Sequence, residues 1–228
     1  MAAQSAATVT FWSLLDDADR TAFRRAGSVK VLDGDQVVVA QGENSDYLLV
    51  VLDGCVKVLT HTASGHQAVL ALRGPGDLLG EQAGLESRPR SAALYAVIRT
   101  RICTVPLDRF QFLTRSRPGI ARAVDQMLSR RLREADQHRA LSIEPVPVRL
   151  AALLLELSGR YGTPGPGAGE ILIDLPLSQE DLAGLVMSSL RAVSRVLEQW
   201  RDRGWIATGR QSLLLKSVDE LKVQAFGG

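Results

Sequence analysis

The sequence predicts an α+β protein: an antiparallel β-barrel, or jelly roll, followed by a long dimerisation helix and a winged helix-turn-helix. Three observations predict it. Short apolar runs bounded by turn residues fill residues 29–106, an uninterrupted helical pattern opens at Pro118, and two amphipathic helical stretches flank a tight polar break within residues 176–206. These divide the 228 residues into 1–117, 118–144 and 145–228. With 46% hydrophobic residues there is apolar material for two cores, and a net charge of +2 is too small to attract a polyanion without local clustering. Residues 145–228 carry nine Lys/Arg against nine Asp/Glu, so any arginine there acts by position.

The first residues, M-A-A-Q-S-A-A-T-V-T, have neither the basic start nor the apolar core of a signal peptide or anchor. No window of about 18 apolar residues occurs, so no membrane contact and a cytoplasmic location are expected. Cys55 and Cys103 each sit in an apolar run and are expected to be buried, reduced thiols. Phe11, Trp12, Leu14 and Leu15 precede D-D-A-D-R-T-A-F-R-R-A, a short acid-capped helix closed by Gly27. Strands are then expected at V-K-V-L, V-V-V-A, Y-L-L-V-V-L and C-V-K-V-L-T, with Asp53 and Gly54 as a hairpin turn, and at residues 67–73, 92–98 and 101–106. His61 and His66 flank the hairpin tip T-A-S-G, where solvated side chains are expected. A Gly/Pro-rich segment, residues 74–89, interrupts the series.

L-D-R-F-Q-F-L-T-R reads as a short helix, and Pro118 suits the first turn of a helix running to about Ser142. Val124, Leu128, Leu132 and Ala135 form a narrow apolar seam among arginines, the pattern of a helix paired with its own copy, so a homodimer is expected. A surface helix packed on its own barrel is the competing reading. Glu144, Pro145, Val146 and Pro147 break the helix, mark the domain boundary and supply a hinge. Residues 149–161 are helical again, with L-A-A-L-L-L-E-L buried on nearly all sides; T-P-G-P-G-A-G-E reads as a surface loop, and residues 171–175 as a short strand.

The stretch P-L-S-Q-E-D-L-A-G-L-V-M-S-S-L-R-A-V-S-R-V-L-E-Q-W follows. Leu182, Leu185 and Val186 repeat at helical spacing behind a hydroxyl cap at Ser178 and an acidic first turn. Val193, Val196, Leu197 and Trp200 make the buried stripe of a second helix, which leaves Leu190, Arg191, Ser194 and Arg195 facing outward. Two helices across so short a turn, with basic and hydroxyl side chains on the second, describe a helix-turn-helix whose second helix fits a DNA major groove. An ordinary helical hairpin with a solvated face is the alternative. I-A-T-G-R-Q-S-L-L-L then gives two short runs around a turn, a β-hairpin wing.

Residues 74–92 carry a second chemistry. Gly80 and the small residues after it leave amides at the start of a short helix, where an anion is stabilised. Arg90 supplies a planar cationic fork for phosphate oxygens and Glu81 an acceptor for ribose hydroxyls, which together suit a cyclic nucleotide. A ligand-free Glu81–Arg90 salt bridge is the competing reading. No nucleophile paired with a base, no carboxylate pair and no metal cluster is apparent, so an enzyme is not expected.

At this point the chain, from Phe11 to Phe226, resembles the family of the cyclic-AMP receptor and the fumarate-nitrate regulator, bacterial CRP/FNR transcription factors. Its phosphate-binding cassette is similar to G-E-Q-A-G-L-E-S-R-P-R-S-A, with Gly80, Glu81, Arg90, Ser91 and Ala92 on motif positions, and the nine-residue Glu-to-Arg separation looks like the shorter, kinase-type cassette. The resemblance implies an N-terminal cyclic-nucleotide-binding barrel with cAMP or cGMP as effector; Ser91 suits either. Where the family's long helix offers hydroxyls to the purine, alignment through R-R-L places Ala135 and Asp136, and the hydroxyls are missing. The iron-sulfur and haem branches need ligands that are not found here: an N-terminal cysteine cluster is absent, and His61, His66 and His138 show no metal-ligand spacing. No metal, haem or iron-sulfur cluster is therefore expected.

The resemblance also implies that Leu190, Arg191, Ser194 and Arg195 face the major groove. A family pattern there is Arg-Glu followed by Arg; this chain has Leu190 and Arg191 in the first two places and keeps Arg195, which should change the half-site read. Ser178, Gln179, Ser189 and Arg210 are the expected phosphate contacts. The expected partners are double-stranded DNA with a palindromic operator, a second copy of the chain and RNA polymerase. The alternative is a constitutive regulator, or one triggered by redox or another ligand, whose barrel is only a dimerisation scaffold.

Overall fold

A computed structural model of the chain describes residues 9–61, 67–86 and 88–227. The expected hairpin tip T-A-S-G and His66 lie outside the described residues. The chain divides into two compact units, Val9–Ala135 and Asp136–Gly228.

In the first unit a 3-10 turn at Trp12–Leu14 leads to α1 (Asp17–Ala26). The acidic cap is Asp16, whose Oδ1 accepts from the Asp19 amide at 2.7 Å. Behind it Phe11, Leu15 and Phe23 are buried, and the Phe23 ring meets Phe11 and Phe110 edge-on at 5.5 and 6.2 Å. The strands are β1 (Ser28–Leu32), β2 (Val37–Val39), β3 (Tyr47–Asp53), β4 (Val56–His61), β5 (Gln67–Arg73) and β6 (Leu78–Leu79). After α2 (Glu81–Glu86) come β7 (Ala93–Ala96) and β8 (Thr100–Pro106). They form two antiparallel sheets, ordered β1-β8-β3-β6 and β2-β7-β4-β5, the jelly roll the spacing predicts. β3 is buried on both faces: Leu48 and Val50 join the cluster around Phe11, Phe23 and Phe110, while Leu49 and Val51 face Val39, Val56 and Leu94. This is why its run is continuous instead of alternating.

Two strand expectations are corrected. Asp53 and Gly54 do not turn a hairpin, because β3 and β4 lie in different sheets and the turn carries the chain across the sandwich. Gly54 is needed there for its φ of 92° and because a Cβ would stand 2.4 Å from Thr100 Oγ1. Within the Gly/Pro-rich interruption, Leu78 and Leu79 form β6 and pair with β3.

α3 (Leu107–Ser116) and α4 (Pro118–Leu141) follow. The expected seam on α4 is one face of the helix, but the barrel covers only part of it. Ile120, Ala123, Val124 and Met127 are buried in the cluster of Phe11, Leu48 and Phe110, and Leu128 packs on its margin, so the competing reading holds for this half. Leu132 is 66% exposed and Ala135 is exposed. A stripe of period 3.6 runs the length of the helix, and the barrel covers only its first part. Cys55 and Cys103 are buried, and burial pushes the Cys103 thiol up.

In the second unit α5 (Val146–Tyr161) starts two residues before Arg149's neighbour Val148, with Pro145 as its cap and Pro147 in its first turn, where a missing N–H costs nothing. Pro147 therefore helps open a helix instead of breaking one. α5 buries one face, Leu150, Ala151, Leu154 and Leu157, while Leu153 and Leu155 are half-buried, so it is not enclosed on nearly all sides. The Gly/Pro-rich loop opens with β9 (Gly162–Pro164), which pairs with β10 (Ile171–Ile173). β9 is an edge strand, and Pro is tolerated at an edge because no ladder bond is lost. Next come α6 (Gln179–Leu185), α7 (Leu190–Asp202), β11 (Ile206–Thr208), β12 (Leu213–Leu215) and α8 (Val218–Phe226). The sheet order is β11-β12-β10-β9, so the expected wing hairpin is part of a four-stranded sheet. α8 packs on α5 and buries Leu221. Among the described residues no helix is long and apolar enough to cross a membrane.

Candidate functional sites

In the barrel unit Arg90 is 4% exposed. Its backbone is tied to the loop before β3, the Arg90 amide donating to Glu43 O at 3.0 Å and the Gly42 amide donating to Arg90 O at 2.8 Å. Its guanidinium is held by that loop and the first residue of β3: Nε donates to Ser45 Oγ at 2.6 Å, Nη2 donates to Tyr47 O, and the fork lies over the Tyr47 ring with Cζ 5.1 Å from the centroid. Nη1 is buried and has no hydrogen-bond partner among the described residues. Gly80, at φ 84°, lies directly beneath it, for a Cβ there would stand 1.8 Å from Nη1. Burial pushes the Arg90 pKa down, and Tyr47, Glu43 and Glu81 pull it back. The Tyr47 hydroxyl donates to Glu43 Oε1 at 3.1 Å, and burial together with Glu43 raises its pKa. The chemistry of such a cradle is capture of an anion by a fixed, desolvated cation.

Glu81 is 3% exposed and pairs with Arg131 of α4, whose Nη1 donates to Glu81 Oε1 and whose Nη2 donates to Leu78 O. The competing Glu81–Arg90 salt bridge is thus replaced by a Glu81–Arg131 one. Ser91 is exposed, its Oγ donating to Gln82 Oε1 at 3.3 Å, and Ala92 is half-buried beside it. Ser45, Tyr47 and Arg131 were missed in sequence because they lie some forty to fifty residues from their partners. Ala135 and Asp136 are exposed on α4.

In the second unit the helix-turn-helix is α6, a short turn and α7. Ser178 and Asp181 form a reciprocal capping box, each side chain accepting from the other's amide at 3.0 Å. α6 ends in a Schellman motif: the Met187 amide donates to Gly184 O at 3.0 Å and the Ser188 amide to Ala183 O at 2.9 Å, with Met187 left-handed at φ 50°. Ser189 caps α7, its Oγ accepting from the Ala192 amide at 3.2 Å. Val193, Val196, Leu197 and Trp200 are buried as expected, and Leu190, Arg191 and Arg195 are exposed. Ser194 is half-buried and donates its hydroxyl to Gln179 Oε1, so these two bind the helices to each other. Arg210 is exposed at the turn between β11 and β12. Among the described residues no three His, Cys, Asp or Glu side chains converge on a point that could hold a metal ion.

Both units match known proteins. The family model for a cyclic nucleotide-binding domain matches residues 29–117, and that for a Crp-like helix-turn-helix domain matches residues 148–223. The chain is 32% identical over 189 residues to the CRP-like cAMP-activated global transcriptional regulator of Mycobacterium tuberculosis, covering 82% of this chain and 84% of that one. It is 32% identical over 188 residues to the cyclic AMP receptor protein of Thermus thermophilus, covering 82% and 83%. Its fold is similar to a solved transcriptional regulator of the CRP/FNR family from Thermus thermophilus, with a TM-score of 0.73 at 25% identity over 87% of this chain and 98% of that one. With a cyclic nucleotide-binding unit and a Crp-like helix-turn-helix in one chain, and relatives at this identity over most of their length, the chain belongs to the CRP/FNR family of transcription regulators.

Proposed function

We propose that the chain is a homodimeric regulator that reads a palindromic operator through α7 and takes a cyclic nucleotide in its barrel. Arg90 would hold the phosphate, with Gly80, Ser91 and Ala92 around it, and Glu81 the ribose. The observation that carries this reading is Arg90 Nη1, a buried cationic nitrogen with no hydrogen-bond partner among the described residues while Ser45 and Tyr47 occupy its neighbours. Leaving such a donor unsatisfied is costly, and a phosphate oxygen satisfies it. The names of the two relatives at 32% identity favour cyclic AMP as the first compound to test.

On the DNA side, Leu190, Arg191, Ser194 and Arg195 would meet base edges, and Ser178, Gln179, Ser189 and Arg210 would meet phosphates. Two copies of α7 would read half-sites about 34 Å apart, which is why a dimer through the exposed part of α4 belongs to the proposal. The effector would act by population shift, favouring the form that binds DNA better, and RNA polymerase would be the partner at the promoter.

One observation favours a second reading: Glu81, the ribose acceptor, is already paired with Arg131. In that reading the barrel is a dimerisation scaffold in a constitutive or differently triggered regulator. Calorimetry with cyclic AMP and cyclic GMP, with mass spectrometry of small molecules released from the purified protein, separates the two. Heat and a raised Tm with either nucleotide are expected. No heat, no shift and no released nucleotide would leave the second reading standing.

A further inference from the structure

We infer that Arg149 on α5 is a positioning residue for DNA reading, which clamps the left-handed turn between α6 and α7 and so sets where α7 points. The inference rests on the proposed reading of DNA by α7. The turn pivots on Met187, whose φ of 50° is a conformation that glycine adopts freely and a side chain with a Cβ does not. A non-glycine residue persists there only when its surroundings hold it.

Arg149 is such a holder. Its Nη1 donates to both carbonyls of the pivot, Val186 O and, at 3.1 Å, Met187 O. These carbonyls stand at the C-terminal end of α6, where the helix leaves acceptors unpaired and a cation is favoured. Arg149 Nε is buried without a hydrogen-bond partner among the described residues, so the side chain accepts a desolvated donor in reaching the turn. The base of the clamp is rigid, since the next residue, Leu150, and Leu154 one turn on are buried in the unit.

What the clamp fixes is immediately downstream. Ser189, the cap of α7, is two residues from the pivot, and exposed Leu190 and Arg191 follow it. A change in the Met187 dihedrals swings this first turn of α7, and base contacts tolerate errors of only about half an ångström and 10–20°. Arg149 touches no expected DNA contact itself; it acts through the turn.

The test uses the full-length protein with operators selected from randomised palindromes, together with random-sequence DNA, in parent, Arg149→Met and Arg149→Met/Met187→Gly. Losing the charge-assisted bonds in Arg149→Met should lower operator affinity about tenfold or more, while random-sequence affinity changes far less. Amide exchange at Ser188, whose N–H closes the turn, should quicken in Arg149→Met without DNA present. Adding Met187→Gly should restore most of the operator affinity, because glycine keeps the left-handed pivot unaided. Unchanged operator affinity and unchanged Ser188 exchange in Arg149→Met would overturn the clamp. So would an affinity loss equal for operator and random DNA, tracking a fall in Tm and untouched by Met187→Gly, since Arg149 would then only stabilise the unit. An Arg191→Ala/Arg195→Ala protein that selects the parent's operator would instead overturn the reading by α7, and the DNA-free exchange measurement still decides the clamp.

Discussion

In the barrel unit the arginine offered to a ligand is buried and held by Ser45, the Tyr47 carbonyl and the Tyr47 ring, whereas in the winged unit Arg191 and Arg195 stand in solvent. The rigidity of the second pair comes from the opposite side of the same helix, where Val193, Val196, Leu197 and Trp200 are buried. Under the proposed function, the difference follows from the size of what each would meet. A small anion brings little surface, so its cation must be prepared and desolvated in advance, where attraction is weakly screened. DNA brings a large field and exchanges many counterions, so arginines that read it would stay hydrated until contact and need only a fixed backbone beneath them. On the proposed function, burial of Arg90 and exposure of Arg191 are therefore both expected, and each can be broken separately.

The largest effect is expected from Arg90→Ala. Removing a desolvated charge that pairs with a phosphate costs about 2–5 kcal/mol, or roughly thirty- to several-thousand-fold in affinity. Effector titrations by calorimetry should show that loss with operator binding by the effector-free protein unchanged; equal titrations in mutant and parent would remove Arg90 from the phosphate role. Next in size is a contrast along α4. Leu128→Glu places a carboxylate against the barrel cluster and should cost about 2–3 kcal/mol, seen as a lowered Tm. Leu132→Glu, on an exposed site, should lower the Tm less, by the lost dimer linkage and not by a broken core, while converting dimers to monomers by light scattering. A parent that is already monomeric at micromolar concentration would sink the dimer.

A smaller effect separates base contacts from phosphate contacts in the winged unit. Arg191→Ala should cost about 1–3 kcal/mol on the preferred operator and relax one symmetry-related pair of positions in a selection. Arg210→Ala should weaken all sequences alike and reduce the salt slope by about one. If Arg191→Ala alters only the salt slope, it is a backbone contact. The smallest effect is expected from Met187→Gly, which relieves the left-handed side chain at the pivot and should stabilise the winged unit by about 1 kcal/mol or less in thermal melts.

Much of this was legible in the sequence because it is local. The cap at Ser178, the stripe from Val193 to Trp200, the strand runs and the wing all depend on side-chain spacing within one or two turns, and all of them stand in the structure. Gly80, Glu81 and Arg90 were found together because they share one short segment, and the fold keeps Gly80 and Arg90 in contact. The long-range pairings were not legible. Asp53 and Gly54 carry a hairpin's residues, yet only the closing of two sheets decides that the strands on either side part company. The α4 stripe is continuous in sequence, and only the extent of the barrel decides that Val124 is core while Leu132 is surface. Glu81 finds Arg131, Arg90 finds Tyr47, and Arg149 finds the Met187 turn across 50, 43 and 38 residues. Periodicity fixes which face of an element is apolar, because that depends on near neighbours; which partner a charge meets depends on how the elements pack, and only the tertiary structure contains that.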